Sequence, residues 1–168
     1  MDTALEGVAN STEEMRDQME AQARAVGPTF FHLRARLPRQ GRTDTPMAAT
    51  DRMWVVLKAY ANDGENELHA HPNEDHVFLV LQGEADFYGP NEEVRRVRPN
   101  DGVLLPRRTF YRFRSVGDEP LVMARVGAVV DPSQDPLGRI DAEGNSMDGY
   151  SAANMQVEVI LHKDRWFE

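Results

Sequence analysis

From residue 53 onward, apolar residues fall in short runs divided by turn residues, the pattern of strands rather than helices. Residues 53–60 (Met-Trp-Val-Val-Leu-Lys-Ala-Tyr) form one predicted strand, followed by a tight turn at Asn62-Asp63-Gly64. Val77-Phe78-Leu79-Val80-Leu81 is dense in β-formers, so a strand begins near His76. Gly83–Tyr88 continues as strand, Gly89-Pro90-Asn91 turns the chain, and residues 93–97 return, which is a hairpin signal. Pro99–Gly102 turns into residues 103–105, Pro106 opens a short loop before residues 110–113, and residues 121–126 form a further strand. The stretch to 154 is rich in turn residues, and a last alternating strand covers 155–161. Short strands at this spacing imply an all-β fold, an antiparallel sandwich or barrel.

The first third reads differently. Ser11-Thr12-Glu13-Glu14 predicts a capping box, in which Ser11 accepts from the amide near Glu14 while Glu14 reaches back. Met15, Met19 and Ala23 recur at helical spacing up to Gly27-Pro28, a helix of about four turns. Its apolar face is thin, so it is expected to lie over the body of the domain or a partner subunit, with the methionines as packing groups. Residues 29–36 alternate, Phe31, Leu33 and Ala35 opposing His32, Arg34 and Arg36, as in a half-buried strand. His32 stands alone on the polar side, outside any site. Residues 38–51 are rich in breakers and predict a long loop, of a kind that often serves as a lid. The expected organisation is a helical arm over 1–28 and one barrel domain over 29–168.

Composition narrows the classes. A chain of 168 residues suits a single domain, and the net charge of −9 argues against nucleic acid or an anionic membrane as partner. The absence of cysteine excludes disulfides, a thiolate nucleophile and Cys-type zinc sites. No apolar run approaches a membrane span, and Asp2, Glu6, Glu13 and Glu14 do not make a signal-peptide pattern, so a cytoplasmic protein acting on a small molecule is expected.

Candidate chemistry concentrates in His69-Ala-His71-Pro-Asn-Glu-Asp-His76, which holds three of the five histidines. If residues 67–71 are extended, His69 and His71 share a face. Pro72-Asn73 then breaks the strand, and the run from His76 brings a third imidazole back beside them. Neutral imidazole is the usual side-chain ligand of first-row metals, and three leave positions open for substrate. The alternative is a solvated or hydrogen-bonded cluster.

The stretch His69-x-His71-x4-His76-x6-Gly83 resembles the first signature of the cupin superfamily, Gly-x5-His-x-His-x4-Glu-x6-Gly. Asn100-x5-Pro106-x-Arg108-x2-Tyr111-x3-Ser115 stands in the register of the second, Gly-x5-Pro-x-Gly-x2-His-x3-Asn. The resemblance spans roughly residues 52–130 and implies a cupin-type antiparallel β-barrel or jelly roll. It departs from the family in the ligands: His76 replaces the glutamate, and Tyr111 replaces the fourth-ligand histidine. The leading glycine falls at Asp63, one place before Gly64. The site it implies is one divalent transition metal on His69, His71 and His76, iron(II) first, with zinc, nickel or manganese as alternatives. Tyr111 is the catalytic candidate, either a phenolate ligand or, as favoured, a hydrogen-bond donor, because a free phenol titrates near 10. Its bland reading is an aromatic wall residue.

Parity places the remaining candidates. If His76 points inward, so do Phe78 and Val80, while Val77, Leu79 and Leu81 face out; if Tyr111 points inward, so does Phe113, while Arg112 and Arg114 do not. Trp54, Phe78, Phe87 and Phe113 are candidate pocket walls, each otherwise plain core, and Arg108 is a candidate anchor for a substrate carboxylate, otherwise a surface charge. The apolar outer face after His76 suggests a covering element, and the resemblance implies a homodimer. For activity, the resemblance implies a dioxygenase acting on a small oxygenated or aromatic compound as one common outcome. The other readings are a non-redox metal-dependent isomerase, lyase or cyclase, and a non-catalytic binder of a small ligand.

Overall fold

The structure is a computed structural model and describes residues 7–61 and 65–168; the predicted turn at Asn62-Asp63-Gly64 lies outside the described residues. The chain is mostly β, with one helix before the strands. A five-stranded antiparallel sheet contains β2 (Arg42–Ala49), β3 (Met53–Tyr60), β9 (Leu121–Val129), β4 (Glu74–Gln82) and β7 (Gly102–Leu105), in that order. A three-stranded sheet has the order β6 (Val94–Val97), β5 (Glu84–Tyr88), β8 (Arg112–Val116). The two sheets face each other across a core to which the larger gives Tyr60, Phe78, Val80, Leu121 and Met123, and the smaller Ala85, Phe87, Val97 and Phe113. This is the two-sheet barrel of a jelly roll, as the strand spacing predicted.

Period-two alternation decides which side chains enter that core. On β4, His76, Phe78 and Val80 are buried while Leu79 is exposed; on β3, Trp54, Val56 and Tyr60 point in with Lys58. The outer face of β3 and β9 is covered by a two-stranded ribbon of β1 (Ala35–Gln40) and β10 (Ile160–Phe167). Ala35 and Leu37 of that ribbon pack on Leu57, Ala59 and Val122. Among the described residues no such ribbon covers the outer face of β4 and β7, and Leu79 and Leu104 stand exposed there.

Helix α1 (Thr12–Ala23) closes one end. Ser11 Oγ accepts from the Glu14 amide at 3.0 Å, and the Glu14 carboxylate accepts in return from the Asn10 amide at 2.8 Å, one residue earlier than a standard capping box. Met15 and Met19 bury themselves on Trp54 and Val56, covering the part of the inner sheet face that β5, β6 and β8 do not reach. Arg24 caps the helix, so it stops short of Gly27-Pro28.

Three expectations from the chain pattern are corrected. Residues 42–49, predicted as loop, are strand β2: Pro46 is tolerated because β2 is the edge of its sheet and pairs through a bulge between Pro46 and Ala48. The strand predicted at 29–36 begins only at Ala35, with Phe30 and Phe31 exposed, although the parity of Leu33, Ala35 and Leu37 is kept. The last strand starts at Ile160, five residues late, since it forms only where β1 offers a partner.

Candidate functional site

The His-x-His segment is held by single bridges rather than by a full strand. His69 exchanges two backbone hydrogen bonds with Tyr111, at 3.1 and 3.0 Å, and Ala70 exchanges two with Ile140, at 3.0 Å each. Arg108 donates its amide to the His71 carbonyl at 2.8 Å. His76 enters from β4 opposite Leu105 and Gly127. Ring centres of His69 and His71 are 5.1 Å apart, those of His71 and His76 4.9 Å, and that of Tyr111 lies 4.5 Å from His69. The predicted quartet is therefore one buried cluster.

Burial dominates its electrostatics. It pulls His69 and His71 well below the ordinary imidazole value and His76 down to about 2, with Arg125 and Arg139 adding in each case, so all three rings are neutral. Burial pushes Tyr111 up to about 12 against the pull of Arg125 and Arg139, so the phenol keeps its proton. His69 Nδ1 lies 2.7 Å from the Glu67 carbonyl oxygen; the ring donates there and leaves Nε2 as a free lone pair. His76 Nε2 is 3.1 Å from the Tyr111 hydroxyl. His71 Nδ1 is 3.3 Å from Glu74 Oε2 but off the direction of a hydrogen bond.

Four buried imidazole nitrogens remain without partners among the described residues: His69 Nε2, both nitrogens of His71, and His76 Nδ1. In residue type, burial and protonation, this donor set fits a transition metal. The fit is chemical rather than positional: His76 turns Nε2 toward Tyr111, and among the described residues no three His, Cys, Asp or Glu side chains are aligned to share one ion.

Of the predicted pocket residues, Trp54 and Phe78 line interior cavities. Phe87 and Phe113 stack 5.1 Å apart beneath Tyr111, inside the core. Arg108 is exposed and lines neither cavity, but its φ of 65° is the left-handed conformation that a glycine would supply, as is the 76° of Asn100. Both glycine positions of the second signature thus keep the glycine backbone without the glycine.

The structure adds polar groups that neither signature names. Glu74, fully buried, makes a short ion pair with Arg125 of β9; burial raises its carboxyl although Arg125 opposes. Gly127 makes room, since a Cβ there would collide with the Glu74 carboxyl and the Trp54 indole. Lys58 lies 2.5 Å from Asp44, which also accepts from the Tyr150 hydroxyl at 2.9 Å. Parity was the available signal: Glu74 shares its face with His76 and Phe78, and Lys58 shares its face with Trp54 and Tyr60. Arg139, from the turn-rich 131–154 stretch, gave no such signal.

Residues 56–127 match the family model of the cupin domain. Over 52 residues the chain is 38% identical to the uncharacterized protein YdbB of Bacillus subtilis (strain 168), across 31% of this chain and 46% of that protein. The chain thus spans about half the length of the curated relative it matches. Among solved structures, it resembles the cupin domain of Cnp3 from Schizosaccharomyces pombe, at 15% identity and a TM-score of 0.50 over 55% of this chain and 67% of that one. It also resembles a conserved protein with a double-stranded β-helix domain from Klebsiella pneumoniae, at 20% identity and a TM-score of 0.51 over 65% and 87%. At these identities the structural likeness shows the fold alone. Among the described residues no helix is long and apolar enough to cross a membrane.

Proposed function

With its barrel a member of the cupin superfamily, we propose that this chain is a metal-dependent enzyme in which His69, His71 and His76 hold one divalent first-row ion, iron(II) first. We assign it dioxygenase-type chemistry on a small oxygenated compound. The observation that carries this reading is the set of four unpartnered ring nitrogens on three neutral, buried imidazoles. Burying such groups without partners is costly, and an ion that takes their lone pairs offsets the cost.

When bound, the metal would supply coordination positions at which substrate and dioxygen meet, with no carboxylate among its three protein ligands to reduce its charge. The chain's own residues do the rest. Tyr111, protonated and 3.1 Å from His76, holds a proton at its phenolic oxygen on the edge of the site. Glu74 and Arg125 form a fixed ion pair beside His71 and limit the positions its ring can take. Phe78, Phe87 and Phe113 make a buried aromatic floor, and Met15 and Met19 of α1 close the site on the Trp54 side. The protonated phenol also favours a second reading: with zinc, nickel or manganese in place of iron, Tyr111 is placed to act as the acid in isomerase or lyase chemistry.

Nitric oxide added to chelator-treated protein reloaded anaerobically with iron(II) tests the first reading. A high-spin iron–nitrosyl paramagnetic signal is expected from a site with open positions. Its absence in iron-loaded protein contradicts the oxygenase assignment and leaves the Lewis-acid one.

A further inference from the structure

Arg139 belongs to neither signature, yet its backbone is tied to the histidines. Its neighbour Ile140 exchanges both backbone hydrogen bonds with Ala70, the residue between His69 and His71. The guanidinium lines both interior cavities. Gly149 permits this approach, since a Cβ there would stand 3.1 Å from the guanidinium carbon.

Inside, two of the three guanidinium nitrogens meet no acceptor: Nε and Nη1 of Arg139 are buried and have no hydrogen-bond partner among the described residues. The charges around it have the wrong sign to compensate. The cavity of about 30 Å³ between Tyr111 and Tyr150 is lined by Arg42, Lys58, Arg125 and Arg139 against the single carboxylate of Asp44. Lys58 already holds Asp44, Arg125 is committed to Glu74, and Arg42 donates to the carbonyl oxygens of Glu65 and Gly149. Desolvation pulls Arg139 below the ordinary arginine value, and Arg42 and Arg125 add to the pull. A buried cation without a counter-charge is strongly unfavourable, and the planar fork of a guanidinium matches a carboxylate in both charge and shape.

We propose that Arg139 anchors the carboxylate of a small organic acid at this site. The rest of the molecule extends into the adjoining cavity of about 40 Å³, which shares Asp44, Lys58, Arg125, Arg139, Gly149 and Tyr150 with the first and adds His71, Trp54, Met15 and Met19. The size of the two spaces restricts the acid to a few carbons, with a short apolar body against the methionines and one end turned to His71. The assignment names the substrate class of the proposed metalloenzyme, but the anchor itself needs no metal.

Calorimetric titration of the full, chelator-treated chain tests it with acetate, lactate and pyruvate, their neutral amides, and inorganic phosphate. At least one carboxylate is expected to bind, its amide about tenfold more weakly or not at all, and Arg139→Met to abolish the binding. Arg95→Met, an exposed change on β6, is expected to leave it intact. Ligand-free Arg139→Met is expected to melt at a higher temperature than wild type, because it removes an uncompensated charge; this separates lost binding from lost folding. Should that variant not fold, Arg139→Lys, which keeps the charge but not the fork, is expected to weaken binding about tenfold. Failure of all three acids to bind, equal binding of acid and amide, phosphate binding in their place, or unchanged binding in the Arg139 variant overturns the assignment. Metal content is measured separately on untreated protein, so carboxylate binding without metal would count against the metal centre alone.

Discussion

His76 Nε2 and the phenolic oxygen of Tyr111 lie 3.1 Å apart inside the barrel, and this is the single hydrogen bond that any His76 ring atom makes among the described residues. Tyr111 stands where the cupin signature has a histidine ligand, but burial holds its pKa at about 12 and keeps it a neutral phenol.

Tyr111→Phe is therefore expected to leave metal content unchanged and to cost about 1 kcal/mol of stability, the loss of one buried hydrogen bond. Urea unfolding and elemental analysis of the variant check both parts. Loss of the metal would make Tyr111 a ligand.

Gly127→Ala is expected to be far more damaging than its single methyl suggests. The new Cβ would occupy space taken by the Glu74 carboxyl and the Trp54 indole, both buried, the carboxyl beside His71 and the indole against Met15 and Met19 of α1. Forcing them apart also strains the Glu74–Arg125 pair, so a loss of about 3 kcal/mol or more is expected in urea unfolding. A variant as stable as wild type would mean that this region repacks freely.

How much of this was legible in the chain follows from which contacts are local. Alternation on β3 and β4 assigned Trp54, His76, Phe78 and Val80 to the interior without knowledge of the partner strands. The edges of β1, β8 and β10 were shifted by several residues, because those strands begin where a distant partner allows pairing. β2 looks like loop in the sequence because Pro46 and its polar neighbours break the strand pattern, and only its edge position excuses them. Arg139 was invisible for a different reason. A lone arginine after Asp135-Pro136 looks like any solvated loop charge, and only the Ala70–Ile140 bridge brings it inside. The second signature, poor in letters, is kept in backbone angles at Asn100 and Arg108 that a sequence does not display.

Acid should weaken the fold through Asp44. Burial raises this carboxyl, but Lys58 and Arg42, with hydrogen bonds from Lys58 and Tyr150, overcome that and hold it at about 2 against an ordinary 3.8. Because the unfolded chain takes up the proton first, the contribution is complete above about pH 4 and is lost as pH falls toward 2, about 2 kcal/mol in all. Urea unfolding between these pH values is expected to show a steeper loss in wild type than in Asp44→Asn. Parallel slopes would remove Asp44 from the account.

The central claim is that three neutral imidazoles hold a metal without help from a carboxylate. Elemental mass spectrometry of protein purified without a histidine tag, with His76→Ala beside it, tests this most directly. The account predicts close to one first-row metal ion per wild-type chain, with iron foremost, and loss of that metal in the variant. A wild-type protein that holds no metal even after anaerobic addition of iron(II) would contradict the account and leave a barrel that binds its ligand by Arg139 and its neighbours alone.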